Sequence, residues 1–292
     1  MNDLIAKADT LLEALPYVQR FRGETFVIKY GGSFMDSTDS AVRSGVACDV
    51  VFIEAVGINP VIVHGGGKAI TRALEQAGVE TRFEQGYRVT TPKSVEVVEQ
   101  VLSREINPGI VGMINELGGK ARGFCGTEIF RCKPFRPLVL AGKRLDTGLV
   151  GEVTGVNTAP LLESIAQDIT PVISPTATGE DGQVYNCNAD VAAGQAAVAL
   201  RPKRLVYMSD VPGLLQNPDD PASVISHLPV AEVEVLKASG VISKGMIPKV
   251  DSAVRAVAAG VEKVFFIDGR LSHSLLLEIF TDAGVGTEIV GQ

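Results

Sequence analysis

The stretch that decides the fold is FVIKYGGS, residues 26–33, in which a short apolar run meets a lysine and then two glycines. Its first three residues are apolar or β-branched, as in a buried strand. Lys29 follows at the carboxyl end of that strand, where open α/β sheets bind their ligands. Gly31 and Gly32 let the backbone approach an anion closely and direct N–H groups at it. A lysine before an ordinary glycine turn would give the same letters, so this stretch alone leaves both interpretations open.

The same order of strand, glycines and helix recurs along the chain. Residues 60–64 predict a second buried strand, followed by three glycines at 65–67 and a helix that stops at Gly78. The second half repeats this order, with strands at 170–174, 205–208 and 264–267 and helices at 190–199, 230–239, 249–259 and 273–281. Such alternation predicts a parallel sheet built from βαβ units.

Two segments depart from this order. Residues 2–15 have apolar side chains at helical spacing and predict an amphipathic helix stopped by Pro16. That helix could pack on its own domain or on a neighbouring subunit, and the sequence favours neither. Residues 80–150 are less regular, with hairpin-like pieces at 86–88 and 123–135.

Composition and charge narrow the class of function. Of the 292 residues, 46% are hydrophobic and 21% charged, as in an ordinary globular protein. The net charge of -7 argues against nucleic-acid or anionic-membrane surfaces. Neither the four scattered cysteines nor the three histidines form a zinc or disulfide pattern. The N-terminus lacks a signal peptide's apolar core and no apolar run approaches about 18 residues, so a cytoplasmic protein is expected.

The motifs favour phosphoryl transfer. The chain has no Walker-type phosphate loop, no G-x-G-x-x-G fingerprint and no G-x-S-x-G elbow. It does have glycine-rich turns after parallel strands and lysines at element ends. Phosphoryl transfer needs backbone N–H groups and cations around the equatorial oxygens, since positioning and electrostatics supply most of its catalysis. A carboxylate acceptor is already ionised at neutral pH and requires no general base.

Six stretches carry a resemblance to a known family. They are IKYGG at 28–32, IVHGGG at 62–67, GYRVT at 86–90, NCNAD at 186–190, SDVPG at 209–213 and GMIPK at 245–249. In this order they resemble the amino-acid kinase family over essentially the whole chain, and GYRVT with NCNAD resembles its N-acetylglutamate kinases. The resemblance implies a three-layer α/β/α sandwich with a mainly parallel central sheet, plus a mobile N-terminal helix. It also implies transfer of the ATP γ-phosphate to the γ-carboxylate of N-acetyl-L-glutamate in arginine biosynthesis.

The resemblance further assigns roles to individual residues. As catalytic groups it implies Lys29 and Lys249, which stabilise the transferring phosphoryl group, and Asp190, which holds both ammonium groups. As substrate-binding residues it implies Gly66, Gly67, Arg88 and Asn186. As nucleotide-binding residues it implies Gly31, Gly32, Ser209, Asp210, Gly213 and Met246. The cofactors implied are ATP and Mg²⁺, the latter carried by the ATP phosphates because the motifs show no carboxylate cage.

The two chain ends resemble the arginine-inhibited, hexameric branch of that family. In that branch the N-terminal helix interlaces dimers into a trimer of dimers, and L-arginine binds between this helix and the C-terminal segment. The residues implied are Tyr17, His273, Glu278 and Gly286. The domains implied are an oligomerisation helix and linker at 1–25, an N-acetylglutamate-binding and dimerisation lobe at 26–190, and an ATP-binding lobe with a regulatory segment at 191–292.

Some residues depart from the pattern or allow another interpretation. Ser33-Phe34 stands where Asn-Ala is expected, and 123–135 differs from the usual lid sequence. Ser243-Lys244 stands where a glycine pair is usual, and Lys244 could add a cation near the nucleotide or face solvent. Asp190 could instead be a helix N-terminal carboxylate and Arg88 a surface ion-pair partner, and His64 is expected to be structural. Alternative functions are a related kinase acting on aminoadipate or glutamate and a catalytically weak arginine-sensing module.

Overall fold

The computed structural model describes residues 2–36, 40–84, 87–135, 146–243 and 245–291. The α-helices are α1 (Asn2–Phe21), α2 (Ser40–Ala55), α3 (Gly67–Gln76), α4 (Pro92–Glu99), α5 (Asn107–Glu116), α6 (Gly126–Ile129), α7 (Ala159–Ile165), α8 (Ala189–Leu200), α9 (Val233–Ala238), α10 (Met246–Ala258) and α11 (Ser274–Phe280). A π-helical segment covers Gln100–Ile106, and 3₁₀ turns cover Ser33–Asp36 and Val230–Glu232. None of the helices in these ranges has the length and apolar character needed to cross a bilayer.

The strands follow the same chain order. They are β1 (Thr25–Tyr30), β2 (Asn59–His64), β3 (Phe83–Glu84), β4 (Tyr87–Arg88), β5 (Ala121–Phe124), β6 (Phe130–Pro134), β7 (Val150–Val156), β8 (Thr170–Ile173), β9 (Thr176–Gly179), β10 (Val184–Cys187), β11 (Arg204–Ser209), β12 (His227–Pro229), β13 (Lys263–Asp268) and β14 (Thr287–Val290). Within the described residues, eight of them form one sheet in the order β12-β14-β13-β11-β1-β2-β8-β5. The run from β13 to β5 is parallel, and β14 is antiparallel to β13.

Alternate residues of β1 bury their side chains on opposite faces of this sheet. Val27 joins a core formed with α8 and α10. Phe26 and Ile28 join a second core formed with α2, α5 and α11. Because both faces are covered by helices, the central strands are apolar throughout. The predicted three-layer sandwich with a mainly parallel sheet is therefore confirmed.

A smaller β-structure lies beside the sheet. Strands β10, β7, β6 and β9 close into a barrel within the described part of the chain. The hairpin predicted within 123–135 was wrong, because this segment holds the end of β5, helix α6 and strand β6, and β6 pairs antiparallel with β7 further along the chain. The hairpin expected around Gly86 reaches residues 85–86, which lie outside the described residues, although β3 and β4 on either side pair antiparallel.

The structure corrects the prediction that Pro16 ends the first helix. Helix α1 continues to Phe21 with Pro16 inside it. Proline removes one backbone donor and crowds the preceding turn, which ordinarily breaks a helix. Here the last turn is held by tertiary contacts, because Tyr17 donates a hydrogen bond to Asp282 and Phe21 packs edge-on against Phe26 at 5.3 Å.

Two further expectations were wrong. The part of 80–150 that looked irregular contains helical structure from Pro92 to Glu116, formed by α4, the π-helical segment and α5. Pro108 lacks the N–H that a continuous α-helix would use, and the π-helical segment ends two residues before it. The chain also ends in strand β14 instead of stopping after α11. The sequence rules that found the parallel strands did not detect this antiparallel return.

The close approach of α8 and α10 depends on small side chains. A Cβ atom on Gly194 in α8 would lie 1.8 Å from Ser252 Oγ in α10 and 3.0 Å from the Tyr207 hydroxyl. Buried alanines make up most of the rest of this face of α8. The two helices therefore pack almost backbone to backbone, which fixes the position of the first turn of α10.

We predict that Gly194→Ala lowers the free energy of unfolding by roughly 1–3 kcal/mol, because the added methyl overpacks the α8–α10 contact. Gly45 in α2 is the matched control, since a Cβ there meets nothing within 4 Å. Gly45→Ala should stabilise the protein by roughly 0.5–1 kcal/mol through reduced chain entropy. Urea unfolding measures both. Equal effects of the two substitutions would contradict the packing argument, and Gly194→Ala combined with Ser252→Ala should recover part of the loss.

Candidate active site

Lys29 is placed by the central strand of the sheet. It is the fifth residue of β1, which runs one residue further than expected, and it is 7% exposed. Its Nζ lies 3.2 Å from Asp190 Oδ1 and donates to the Gly31 carbonyl oxygen at 3.2 Å. A Cβ atom on Gly31 would lie 2.7 Å from this Nζ, so the glycine leaves room for the ammonium group.

Asp190 is placed by the first turn of α8. The Asn188 side chain caps this helix by accepting from the Asp190 and Val191 N–H groups, at 2.8 and 3.3 Å. The Asp190 carbonyl oxygen accepts from the Tyr207 hydroxyl at 3.2 Å and from Ser252 Oγ at 3.3 Å. Its backbone is therefore held from three elements, and its carboxylate is buried at the edge of the sheet.

Lys249 completes this cluster from the other half of the chain. Helix α10 begins at Met246, three residues before the expected start, and Lys249 lies in its first turns. Its Nζ lies 2.6 Å from Asp190 Oδ2. The two lysines, 220 positions apart in the printed numbering, therefore bind opposite oxygens of one carboxylate.

Burial and mutual charge shift the pKa values of this cluster. Desolvation would raise the pKa of Asp190, but the ammonium groups of Lys29 and Lys249 outweigh it and lower that pKa to about 2. Burial lowers the pKa of Lys29, and the Lys249 charge lowers it further while Asp190 opposes both. The alternative in which Asp190 serves only as a helix N-terminal carboxylate does not account for these two contacts.

The first of two cavities beside the lysine cluster has a volume of about 350 Å³ and is lined by the glycine loop after β2. Gly66 and Gly67 line it at the start of α3, where backbone N–H groups are free to bind an anion. A Cβ atom on Gly66 would lie 2.5 Å from Ile106 and 2.8 Å from Leu102, both in the π-helical segment. Only a glycine fits between the loop and this segment.

His64 supports the glycine loop from the buried side. Its Nδ1 lies 2.8 Å from the Gly65 carbonyl oxygen and its Nε2 3.3 Å from Asn107 Nδ2, which also donates to the Val172 carbonyl oxygen at 2.9 Å. Because the amide is a donor, Nε2 accepts and Nδ1–H donates to Gly65. Burial lowers the pKa of His64 to about 4, so the ring is neutral at pH 7. This geometry agrees with the structural role expected for His64.

Arg88 lies in the wall of the same cavity and is buried, not at the surface. Its Nη2 donates to the Gly67 carbonyl oxygen at 2.9 Å and to Thr71 Oγ1 at 2.8 Å, and its guanidinium lies 4.6 Å from the Phe83 ring centre. Burial lowers the pKa of Arg88. Among the residues that the structure describes, no carboxylate pairs with it, so the cation faces the cavity uncompensated.

Asn186 lines the opposite side of the first cavity, at the end of β10. Its Nδ2 donates to Thr90 Oγ1 at 3.2 Å, which fixes the orientation of the amide. The cavity therefore combines the Asn186 amide, the glycine-loop N–H groups and the Arg88 guanidinium, and it opens onto Lys29 and Asp190. An elongated anion with two charged ends matches this distribution.

A second cavity, about 620 Å³ in volume, meets the first at Lys29, Gly31, Gly32 and Asp210. The other predicted nucleotide residues line it as well, namely Ser209, Gly213 and Met246, together with Lys249. Gly213 has φ +150, and a Cβ there would lie 2.6 Å from Thr287 Oγ1 in β14. The structure thus brings together all six residues predicted to bind the nucleotide. Lys244 lies outside the described residues.

The two cavities are joined by an interaction that the sequence did not predict. The Ser33 N–H and hydroxyl both donate to Asp210 Oδ1, at 2.6 and 2.8 Å. This pair ties the glycine turn after β1 to the turn after β11. Ser33 had been noted only as a departure from the family pattern, and nothing in the sequence indicated its partner.

A third cavity, about 310 Å³ in volume, lies between the last turn of α1 and the C-terminal segment. Tyr17, Glu278 and Gly286 line it, together with Arg20, Arg204 and Lys263. Glu278 accepts from the Val285 N–H at 2.7 Å, and burial raises its pKa. His273 does not line this cavity, because its Nδ1 lies 2.6 Å from Asp49 Oδ1 on α2.

Comparison with known proteins agrees with this geometry. The sequence profile described as "Amino acid kinase family" matches residues 24–268. A protein of Akkermansia muciniphila named acetylglutamate kinase is 48% identical over 289 residues, covering 98% of this chain and 96% of that protein. One with the same name from Aquifex aeolicus is 45% identical over 300 residues, covering 99% of each. This chain belongs to the amino acid kinase family.

Solved structures share the fold of this amino acid kinase. An N-acetylglutamate synthase from Neisseria gonorrhoeae, complexed with coenzyme A and N-acetyl-glutamate, matches with a TM-score of 0.84 at 23% identity. That match covers 98% of this chain and 63% of the synthase chain. A carbamate kinase from Giardia lamblia bound to AMP-PNP matches with a TM-score of 0.67 at 14% identity, covering 92% and 99%. At these identities the likeness shows the fold alone.

We predict that Asp190→Asn lowers the free energy of unfolding at pH 7 by about 3–5 kcal/mol, because it leaves two close ammonium groups without their carboxylate. The pKa of Asp190 falls from 3.8 to about 2 on folding, so its contribution is present above about pH 4. That contribution is lost as the pH falls toward about 2, and the difference between wild type and variant should shrink there. Denaturant unfolding at pH 7 and at pH 3 measures this.

Asp251→Asn is the matched control for this prediction. Asp251 also pairs with a lysine, Lys237, at 2.5 Å, but its side chain is 34% exposed. An exposed pair contributes about 0–1 kcal/mol, so this variant should be nearly as stable as the wild type. Equal losses of stability in the two variants would show that the buried cluster contributes no more than an exposed ion pair.

Proposed function

We propose that this chain is an ATP:N-acetyl-L-glutamate 5-phosphotransferase that forms an acyl phosphate in arginine biosynthesis. The observation that carries the proposal is the Lys29–Asp190–Lys249 cluster, which lies where two cavities meet. The full-length relatives named acetylglutamate kinase support the same activity. No helix among the described residues is long and apolar enough to cross a membrane.

Lys29 and Lys249 act as the stabilising cations of the transfer. The γ-carboxylate of the acceptor attacks the γ-phosphorus of ATP, a P–O bond to the acceptor forms and the bond to the ADP oxygen breaks. The acceptor is already ionised, so no side chain has to remove a proton. Charge grows on the equatorial and leaving oxygens during transfer, and two ammonium groups fixed by Asp190 meet that charge without reorganisation.

The first cavity binds N-acetylglutamate in this proposal. The N–H groups of Gly66 and Gly67 bind the γ-carboxylate and present it to the phosphorus atom. The Arg88 guanidinium binds the α-carboxylate, which supplies the anion that its buried cation lacks. Asn186 binds the N-acetylated amino group. The neutral His64 ring positions the glycine loop without contacting the reacting atoms.

The second cavity binds ATP. The glycine turns after β1 and β11 and the N-terminus of α10 surround it and offer backbone N–H groups to phosphates. Asp210 lines this cavity and accepts from the Ser33 N–H of the glycine turn after β1. Mg²⁺ would be carried by the ATP phosphates, where it supplies charge neutralisation. On this basis residues 26–190 form the acetylglutamate and dimerisation lobe and 191–292 the ATP lobe.

A coupled assay of ADP release tests this function. Wild type should turn over ATP with N-acetylglutamate faster than with glutamate or N-acetylaminoadipate, and the reverse order would favour the related kinases. Lys249→Met should lower kcat by about 10²–10³-fold, because one fixed cation is lost from the transition state. Lys237→Met is the control, since Lys237 also pairs with an aspartate but lies on α9 outside both cavities. Unchanged kcat in Lys249→Met would overturn the site assignment.

We further propose that L-arginine inhibits this enzyme by binding in the third cavity, with Glu278 as the partner of its guanidinium and Tyr17 and Gly286 beside it. The observation that favours this is the cavity between α1 and the C-terminal segment. Helix α1 leaves Ile5, Leu11, Leu12 and Leu15 at 53%, 70%, 63% and 44% exposure. These side chains fit α1 of a second copy, as in a hexamer built as a trimer of dimers. The 1–25 segment then serves as oligomerisation helix and linker.

We predict that millimolar L-arginine lowers the initial rate and that Glu278→Gln raises the half-inhibiting concentration by about 10–100-fold, because a charge-assisted hydrogen bond of about 1.5–3 kcal/mol is lost. Glu234→Gln, at a position 80% exposed, is the control. Sizing chromatography with and without residues 1–25 tests the assembly. Rates that do not respond to arginine would remove the regulatory proposal and leave the catalytic one in place.

A further inference from the structure

Two buried hydroxyl groups meet on the backbone carbonyl oxygen of Asp190. Tyr207 on β11 donates to this oxygen at 3.2 Å, and Ser252 on α10 donates to it at 3.3 Å. The two residues are 0% and 5% exposed. They lie outside the walls of the first and second cavities, so their hydroxyl groups act on the protein and not on a bound ligand.

The Tyr207 contact attaches Asp190 to the strand next to Lys29. In the parallel β1–β11 pair, Lys29 is in register with Tyr207, and residues in register point to the same face of a sheet. The Tyr207 ring is held there by stacking on Phe266, with 5.1 Å between ring centres. Neighbouring strands therefore bind the two ends of one residue, since Lys29 contacts the Asp190 carboxylate at 3.2 Å and Tyr207 its carbonyl.

The Ser252 contact repeats this arrangement on α10. Lys249 and Ser252 are three positions apart in that helix, so their side chains share one face. Lys249 Nζ lies 2.6 Å from Asp190 Oδ2, and Ser252 donates to the Asp190 carbonyl. Each element that contacts the carboxylate with a lysine is thus accompanied by a hydroxyl group on the main chain of the same aspartate.

Gly194 provides the space in which both hydroxyl groups reach the carbonyl. It lies one helical turn after Asp190 on α8. A Cβ atom at this position would lie 1.8 Å from Ser252 Oγ and 3.0 Å from the Tyr207 hydroxyl. A side chain here would therefore push both groups away from the Asp190 carbonyl.

We propose that Tyr207 and Ser252 are positioning residues for phosphoryl transfer, which fix the Asp190 main chain relative to Lys29 and Lys249. A carboxylate on an unfixed first turn could follow one ammonium group and leave the other. With its carbonyl held from the sheet and from α10, Asp190 keeps both ammonium groups at constant positions while charge develops on the phosphoryl oxygens. The role in transfer rests on the proposed kinase activity, whereas the effect on the Asp190–Lys29 distance does not.

Two variants remove the hydroxyl groups one at a time. Tyr207→Phe keeps the ring that stacks on Phe266, and Ser252→Ala keeps the small side chain beside Gly194. Each should lower kcat by about 5–20-fold, because a displacement of about 1 Å can cost about 10²-fold in rate. The KM values for ATP and N-acetyl-L-glutamate should not change, since neither hydroxyl group contacts a ligand.

Two matched controls remove buried hydroxyl groups elsewhere. Tyr185 is 3% exposed and donates to Asp181 Oδ2 at 2.8 Å, and Ser164 is 1% exposed and donates to the Pro160 carbonyl oxygen at 2.9 Å. Tyr185→Phe and Ser164→Ala should keep the wild-type kcat. Thermal denaturation of all four variants gives the folded fraction to which each rate is normalised. An equal fall of kcat in the controls would overturn the proposal.

The titration of Lys29 provides a measurement that does not need turnover. The charged groups that face Lys29 are Asp190 on α8, Lys249 on α10 and Asp210 after β11. Asp190 raises the pKa of Lys29 against burial and the Lys249 charge. If the carboxylate moves away in Tyr207→Phe, this pKa should fall, and the alkaline decline of kcat should move to lower pH.

Competitive acylation of the full-length protein with acetic anhydride, followed by mass spectrometry, measures this titration. Lys29 lines both cavities, so a small reagent reaches it. Labelling of Lys29 should begin at lower pH in Tyr207→Phe than in wild type or Tyr185→Phe. Wild-type kcat and wild-type labelling in Tyr207→Phe, with wild-type kcat in Ser252→Ala, would overturn the proposal and leave the kinase function in place. Shifted labelling in a protein without kinase activity would uphold the positioning of Asp190 and contradict the proposed function.

Discussion

One carboxylate bound by two ammonium groups is the interaction on which the rest of the site depends. Lys29 comes from the central strand, Asp190 from α8 and Lys249 from α10, so the cluster forms only when the sheet and both helices are in place. Asp190 stays ionised because its two cationic partners outweigh the effect of burial. Lys29 keeps a partner for its charge at a place where burial alone would favour the neutral amine. Burying these three charges costs free energy, and the groups stay ionised because each lies next to an opposite charge.

The parallel sheet explains why this cluster lies between two cavities. β1, β2 and β11 are adjacent and parallel, so the turns that follow them leave the sheet at the same edge. The turn after β2 lies on one side of Lys29 and the turn after β11 on the other. Ser33 and Asp210 then connect the turn after β1 with the turn after β11. A donor and an acceptor that occupy the two cavities are brought end to end at the lysines, which is the geometry that in-line transfer requires.

The features that the sequence predicted correctly are those that a short local pattern of residues indicates. Apolar β-branched runs followed by glycines predicted the parallel strands and their turns, and the lysines and Asp190 could be assigned from their motifs. Helix α4 and its continuation were missed, although Val95, Val98 and Leu102 are at helical spacing. Pro16 misled because a proline ordinarily ends a helix. In both places the deciding interactions are tertiary, such as the Phe21–Phe26 contact, and no local pattern records them. Three contacts were also unpredictable, because each joins separate segments of the chain. They are the Arg88–Thr71 bond, the Ser33–Asp210 bond and the His273–Asp49 bond that keeps His273 out of the third cavity.

The cavity walls show how the fold prepares for an anion before one is bound. Arg88 is buried with hydrogen-bond acceptors but, in the part of the chain that the structure describes, without a carboxylate, and Lys29 is held where its pKa is lowered. Neither arrangement lowers the energy of the protein alone, since each leaves positive charge poorly solvated. Both become favourable when a dianionic acceptor and a polyphosphate enter, because the ligands supply the missing negative charge. The packing of Gly66 against the π-helical segment and of α8 against α10 provides the rigidity that keeps these cations from relaxing toward solvent. Stability is thus lowered locally at the positions where binding and transition-state stabilisation are gained.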